Sequence, residues 1–258
     1  MYILITNDDG VQSPGLLALR QALAPLGETT VVAPDRNWSA AGHYRKLFDP
    51  LRAWDVELAD GSAAITCDGT PADCVALAIM GLLPRKPDLV VSGINLGANL
   101  GSDLTYSGTV AAAMEAVVYG VPGIAVSQYP AKDSPWDFRA AQQAVRKIVA
   151  AAQDNGLSAD ILLNVNVPAR NPDGVHGIRI AALGKRIYRD ELVVRQDPRG
   201  RPYYWIGGAE PEDHGDDDSD VAAIAAGFVS VTPVHMDLTS HRWIGELKGW
   251  GLGVETHP

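Results

Sequence analysis

Two adjacent carboxylates, Asp8 and Asp9, stand between Asn7 and Gly10 at the end of the apolar run Tyr2-Ile3-Leu4-Ile5. Ionising neighbouring carboxylates is costly unless a cation lies between them. A tight turn is the competing reading, because Asn, Asp and Gly are turn residues. A hard metal ion needs more donors than two carboxylates, and two later segments offer them. Residues 34–43, Pro-Asp-Arg-Asn-Trp-Ser-Ala-Ala-Gly-His, contain the Ser39 hydroxyl, and residues 93–101, Gly-Ile-Asn-Leu-Gly-Ala-Asn-Leu-Gly, contain the Asn95 amide. Together these make an all-oxygen set, which suits Mg²⁺, Mn²⁺ or Ca²⁺ rather than zinc. Ser107-Gly108-Thr109 then opens a helical stretch, and free N–H groups with hydroxyls at a helix N-terminus can receive an anion, although Ser and Thr are also ordinary N-caps. A hard cation beside an anion site is what phosphoryl chemistry uses, since catalysis there is mostly positioning and charge neutralisation. Phosphate ester hydrolysis is the expected chemistry.

These segments have to be held at strand ends. The run at residues 2–5 suits a strand buried on both faces of a parallel sheet, and open α/β sheets bind ligands outside the carboxyl ends of such strands. Leu16, Leu19, Leu23 and Leu26 make a helical stripe closed by Gly27, and residues 29–33 read as a second strand. Strand, helix and strand within about 30 residues is the βαβ signature of a parallel sheet. There is no G-x-G-x-x-G, so the usual dinucleotide loop is missing. Further strands are expected at 63–67, 89–92, 123–127, 161–167 and 228–232, and helices at 72–83, 110–119, 137–155 and 240–250. Thr70, Pro71 and Asp73 give the first of these helices an N-cap, a first residue and an acidic first turn.

The expected fold is therefore α/β, with a doubly wound, mostly parallel Rossmann-like sheet. Residues 188–205 alternate apolar and polar around Asp197-Pro198-Arg199-Gly200, which reads as a β-hairpin. A lone hairpin is marginal in water, so this arm is expected to pack on or swap with another subunit. The division expected is 1–184 as the catalytic unit, with 185–258 as the arm, a return strand and a terminal helix used in oligomerisation. The acidic run at 213–220 reads as a solvated loop rather than a metal box.

Composition narrows the partners. With 21 Lys plus Arg against 31 Asp plus Glu, the net charge of −10 argues against general binding to nucleic-acid polymers or membrane surfaces. Cys67 and Cys74 match no metal or redox spacing. No apolar run reaches the ~18 residues of a membrane span, and the first residues carry no signal-peptide pattern, so a cytoplasmic location is expected. His43 is a candidate proton shuttle by its loop position alone, and a solvent-facing or structural role is the favoured reading.

The motifs are also similar to a known family. Ile-Thr-Asn-Asp-Asp-Gly at 5–10, Val-Val-Ala-Pro-Asp-Arg-Asn at 31–37, Cys-Asp-Gly-Thr-Pro-Ala-Asp-Cys-Val at 67–75 and Asp-Leu-Val-Val-Ser-Gly-Ile-Asn-Leu-Gly-Ala-Asn-Leu-Gly at 88–101 resemble the SurE family of 5′/3′-nucleotidases. The likeness continues through 106–115, 162–168, 197–202 and 230–233. The resemblance implies a divalent-metal-dependent phosphatase of nucleoside monophosphates, tolerant of other phosphoesters and short polyphosphate, built as a dimer or tetramer with exchanged C-terminal elements. It implies one metal ion per subunit on Asp8, Asp9, Ser39 and Asn95. Asn99, Ser107, Gly108 and Thr109 would hold the phosphate, and Asp8 or Asp9 would orient or deprotonate the attacking water. The chain departs from the pattern after Asn37, where the family carries a basic or small residue and then Ser-Gly; here the run is Trp38-Ser39-Ala40.

Three rival readings are weighed. A haloacid-dehalogenase-type phosphatase needs a second Asp where Gly10 stands, and a receiver domain needs a phosphoacceptor Asp where Ser92-Gly93 stands. A non-catalytic nucleotide-binding or stress-assembly role stays open.

Overall fold

In the computed structural model, residues 1–130, 135–170, 172–208 and 211–252 are described. Strand β1 (Tyr2–Thr6) is buried at every position, as its apolar run requires. It pairs in parallel with β2 (Glu28–Pro34) on one side and β5 (Leu89–Leu96) on the other. Beyond β2 lie β4 (Ala63–Cys67) and the antiparallel edge strand β3 (Ala53–Glu57). Beyond β5 lie β6 (Gly123–Gln128), β7 (Ile161–Val167), the antiparallel β13 (Val229–His235) and finally β8 (Ile178–Ile180). The chain thus builds outward from β1 in one direction, then returns to lay β5, β6 and β7 in the other. The carboxyl ends of β1 and β5 flank the switch point, where open sheets of this kind bind ligands.

Alternation along β1 feeds two cores. Ile3 and Ile5 pack with Leu16 and Leu19 of α1 (Pro14–Leu23) and Val145 and Val149 of α4 (Arg139–Asn155). Tyr2 and Leu4 pack on the opposite face with Val75 of α2 (Pro71–Leu77) and Ala112 and Ala116 of α3 (Gly108–Val118). Helix α2 starts with the expected capping box: the Asp73 N–H donates to Thr70 Oγ1 at 3.1 Å and the Thr70 N–H to Asp73 Oδ2 at 3.0 Å. The helix expected over 72–83 is α-helical only to Leu77 and continues as a wider turn over Ala78–Leu82, with Gly81 outside helical geometry.

Residues beyond Gly184 divide their contributions. Strand β9 (Lys185–Ile187) pairs with β12 (Glu212–His214), while β10 (Asp190–Gln196) and β11 (Pro202–Gly208) form the hairpin as a separate two-stranded sheet, exposed at every residue. Helix α5 (Asp220–Ala225) and β13 return to the main body, and α6 (His241–Lys248) follows with no buried residue. The acidic run is not uniformly a solvated loop. Asp216, Asp217 and Asp218 are exposed, but Glu212–His214 is the strand β12 and Asp220 is fully buried.

The reason is a backbone demand. Asp220 Oδ2 accepts the Gly101 N–H at 2.8 Å and Oδ1 accepts the Gly184 N–H at 2.7 Å, so one carboxylate satisfies two chain turns more than 80 residues apart. Asp220→Ala leaves the buried Gly101 N–H and the half-buried Gly184 N–H without this partner, and an unmade buried hydrogen bond costs roughly 1–3 kcal/mol. The expected loss is about 3 kcal/mol of stability, read as a fall in urea midpoint; a midpoint within error of the parent contradicts this role.

Candidate active site at the switch point

The residues after β1 form the turn that the sequence allows. Asn7 Nδ2 donates to the Gly10 carbonyl at 3.0 Å and closes the turn, which leaves Asp8 and Asp9 to project from it. Asp8 is buried and leans on the start of α3: the Thr109 hydroxyl donates to Asp8 Oδ1. A side chain at Gly108 would place its Cβ 2.8 Å from the Asp8 Cβ, so glycine is what allows the helix end to approach. Burial raises the Asp8 carboxyl above the ordinary carboxylate range, opposed by the Thr109 hydroxyl and by backbone N–H groups that include Thr109 and Gly108. The anion nearest this helix N-terminus is thus the protein's own carboxylate.

Asp9 is partly exposed. Its Oδ2 accepts the Leu96 N–H at 3.2 Å and its Oδ1 the Asn37 amide at 3.4 Å. Burial first, and then the charge of Asp8, raise its carboxyl to about 6 against the opposing Leu96 hydrogen bond. The strand that carries Leu96 is longer than expected because β5 runs on to Leu96 across a register shift between Ser92 and Asn95. Gly93 lies at that irregularity with φ +135°, and a Cβ there would come within 2.2 Å of the Val126 carbonyl, so only glycine fits. The bulge brings Asn95 to the rim. Its amide nitrogen donates to the Gly97 carbonyl at 2.8 Å, which directs that nitrogen inward to the loop and leaves Oδ1 as the available donor atom.

Ser39 arrives from the loop after β2. The Trp38 N–H donates to the Asp8 carbonyl at 2.7 Å and the Ser39 N–H to Asn37 Oδ1 at 2.7 Å, while Arg36 stacks over the Trp38 ring. Ala40 then adopts φ 60°, a left-handed conformation that favours the glycine of the family pattern. Its methyl group makes the loop slightly strained.

Asp8, Ser39, Asn95, Asn99 and Ser107 line one cavity of about 500 Å³, inside the roughly 300–1,000 Å³ usual for small-molecule pockets. Ser107 is the N-cap of α3 and accepts the Val110 N–H at 3.2 Å. Asn99 is committed to the loop: its N–H donates to Asn166 Oδ1 at 2.7 Å, its amide to the Ser127 hydroxyl at 2.8 Å, and its carbonyl accepts from Asn164 and Asn166. Sequence reading assigned no task to Ser127, Asn164 or Asn166, which latch the ends of β6 and β7 to this loop. It also missed Asp103, Tyr106, Tyr188 and Asp190, which line the same cavity. His43 does not line it; His43 Nε2 meets Glu115 Oε2 at 2.7 Å, beside the Arg45–Glu115 and Arg45–Asp73 pairs on the α2–α3 face.

The donor set fits one hard divalent cation. Asp8 and Asp9 supply the negative charge, and Ser39 and Asn95 supply neutral oxygens. Among the described residues no three His, Cys, Asp or Glu side chains come together to hold a metal. Fold and site together define an open-sheet α/β protein with an acidic, oxygen-rich crevice at its switch point.

Comparison with known proteins agrees with that description. Residues 3–190 match the family described as Survival protein SurE. A protein named 5′-nucleotidase SurE from Chloroflexus aggregans is 70% identical over 250 residues, covering 97% of this chain and 99% of its own. The protein of the same name from Herpetosiphon aurantiacus is 57% identical, covering 96% and 97%. The crystal structure of the SurE protein from Aquifex aeolicus superposes with a TM-score of 0.83 at 40% identity, covering 97% of this chain and 99% of that one. This chain belongs to the SurE family.

The paired carboxylates make a sign prediction for the metal-free protein. Unfolded Asp ionises near pH 4, whereas folded Asp9 ionises at about 6. The folded state therefore binds more protons in that interval, and the stability this contributes is present below pH ~4 and lost as pH rises through about 6. In excess chelator, Asp9→Asn is expected to raise the melting temperature at pH 7.5, with the gain shrinking towards pH 4.5. Equal destabilisation at both pH values contradicts it.

Proposed function

We propose that this chain is a divalent-metal-dependent phosphomonoesterase that hydrolyses nucleoside 5′- and 3′-monophosphates to nucleoside and phosphate, with short polyphosphate as a further substrate. The carrying observation is the buried Asp8, held by Thr109, in a crevice it shares with Ser39 and Asn95; Asp9, its sequence neighbour, does not line that crevice but accepts the N–H of Leu96, which does. The relatives named 5′-nucleotidase support the choice of nucleotide. Asp8, Asp9, Ser39 and Asn95 would hold one Mg²⁺ or Mn²⁺ ion, which supplies Lewis-acid polarisation of a phosphoryl oxygen when bound.

The remaining tasks fall to the chain. Thr109 fixes one Asp8 oxygen and so orients the other. Asp9 is the carboxylate we assign to orient and deprotonate the attacking water, because it is partly exposed and held by the Leu96 N–H on one oxygen. Ser107 and the first N–H groups of α3 favour the phosphate's negative charge. Asn99 shapes the loop around it through Ser127 and Asn166. No helix among the described residues is long and apolar enough to cross a membrane.

Assembly belongs to the same reading. The hairpin exposes Leu192, Val194, Tyr204 and Ile206, and α6 exposes Trp243 and Trp250 follows it. We assign these elements to contacts between copies, as a homodimer or homotetramer, because a separate exposed ribbon of this kind is marginal alone. A solution mass equal to one chain contradicts this assignment.

The activity test is phosphate release from AMP with Mg²⁺, Mn²⁺ or EDTA. Turnover is expected with either metal and not with EDTA, and Asp8→Asn is expected to lower it by on the order of a hundredfold or more while far-ultraviolet circular dichroism is unchanged. Undiminished turnover in the variant overturns the metal assignment.

A further inference from the structure

The crevice is larger than a phosphate requires, and part of its wall has no task in the chemistry above. Asp103, Tyr106, Tyr188 and Asp190 line it together with the acidic residues. Two of these are aromatic and substantially exposed, Tyr106 at 68% and Tyr188 at 46%. Asp103 meets both, Tyr188 through its carboxylate and Tyr106 through the main chain alone. The Tyr188 hydroxyl donates to Asp103 Oδ2 at 2.6 Å, and the Tyr106 N–H donates to the Asp103 carbonyl at 3.0 Å.

Asp103 is itself held. Arg186 Nη1 donates to the same Oδ2 at 2.7 Å, and Arg186 Nε reaches Asp213 Oδ1 at 2.8 Å. Both partners of the Arg186–Asp103 pair are largely buried, with side-chain exposures of 12% and 14%, so the pair is well shielded from competing water. The turn Gly101–Thr105 that carries Asp103 is pinned by the Gly101–Asp220 hydrogen bond. Tyr106 is also tied to the loop that follows Ser39, because its carbonyl accepts the Gly42 N–H at 2.9 Å.

The consequence is a Tyr188 ring held at its hydroxyl on the same cavity wall as Tyr106. Tyr188 has spent its hydroxyl on Asp103, so what it offers a ligand is the ring. Burial and that hydrogen bond raise the Tyr188 phenol to about 12, so it remains an uncharged donor near neutral pH. Uncharged aromatic faces near a phosphate site suit the flat, polarisable base of a nucleotide, which stacks through its π-face. We propose that Tyr106 and Tyr188 form the nucleobase platform of this site and that Asp103, clamped by Arg186, is the positioning residue that sets the Tyr188 ring. This rests on the nucleotidase reading for the identity of the ligand.

The test separates base recognition from phosphate chemistry. Adenosine, which carries no phosphate, is titrated calorimetrically into the wild-type protein and into Tyr188→Leu, Tyr188→Phe and Asp103→Asn. In parallel, kcat/KM is measured for AMP and for ribose 5-phosphate, which lacks the base. Tyr188→Leu is expected to weaken adenosine binding by on the order of ten- to a hundredfold, and to lower the AMP to ribose 5-phosphate selectivity by a similar factor. Tyr188→Phe keeps the ring and is expected to recover most of that loss, whereas Asp103→Asn keeps both rings but loses part of the selectivity. Failure of wild-type protein to bind adenosine, or unchanged adenosine affinity in a folded Tyr188→Leu, overturns the platform. Selectivity that is unchanged while both substrates slow together overturns it as well. Adenosine binding without phosphate release from AMP would instead support the platform and defeat the nucleotidase reading alone.

Discussion

Two carboxylates that are neighbours in sequence cannot both stay ionised in a half-buried crevice without compensation, and the surrounding structure supplies it unequally. Asp8 is compensated from within the fold: the Thr109 hydroxyl and the backbone at the start of α3 address it, at a distance only Gly108 permits. Asp9 receives only the Leu96 N–H and a long contact from Asn37, and its carboxyl rises to about 6. The residual charge is what the proposed cation would neutralise. The sheet order makes this possible, since β1 and β5 are adjacent yet their connections leave in opposite directions.

Around this centre, buried acids act as fasteners. Asp73 caps α2 and meets Lys46 and Arg45, Asp103 gathers Arg186 and Tyr188, and Asp220 holds the Gly101 and Gly184 turns. Each joins segments distant in sequence, and Asp73 and Asp220 each satisfy a buried backbone N–H, of Thr70 and of Gly101. The charge of −10 is therefore partly internal architecture. The last two also explain why the chain beyond Gly184 bears on the site, because they set Tyr188 and Asp190 at the mouth of the crevice.

Much of this was legible in the sequence where one local pattern decided the outcome. The apolar runs of β1, β5, β6 and β7 are buried strands, and Thr70-Pro71-Asp73 forms its capping box hydrogen bond by hydrogen bond. Asp8, Ser39 and Asn95 meet in one cavity because strand ends in a parallel sheet meet at one edge. Strand β3 gave no signal because it is an edge strand with exposed polar residues, and β8, β9 and β12 are three residues each, too short for periodicity to register. Tyr188 escaped because its place depends on contacts such as Arg186–Asp103, 83 residues apart in the chain. Asp220 escaped because an acidic run looks solvated until the two orphan N–H groups it satisfies are known.

The measurement that bears most directly on the central claim is calorimetric titration of Mn²⁺ into chelator-stripped protein at pH 7.5 and at pH 5.5, in buffers of different ionisation enthalpy. One ion per chain is expected, bound more weakly at pH 5.5 with proton release, because the ion must displace the proton that Asp9 holds below about 6. Binding that is absent, or that is equally tight at both pH values with no proton released, contradicts the account.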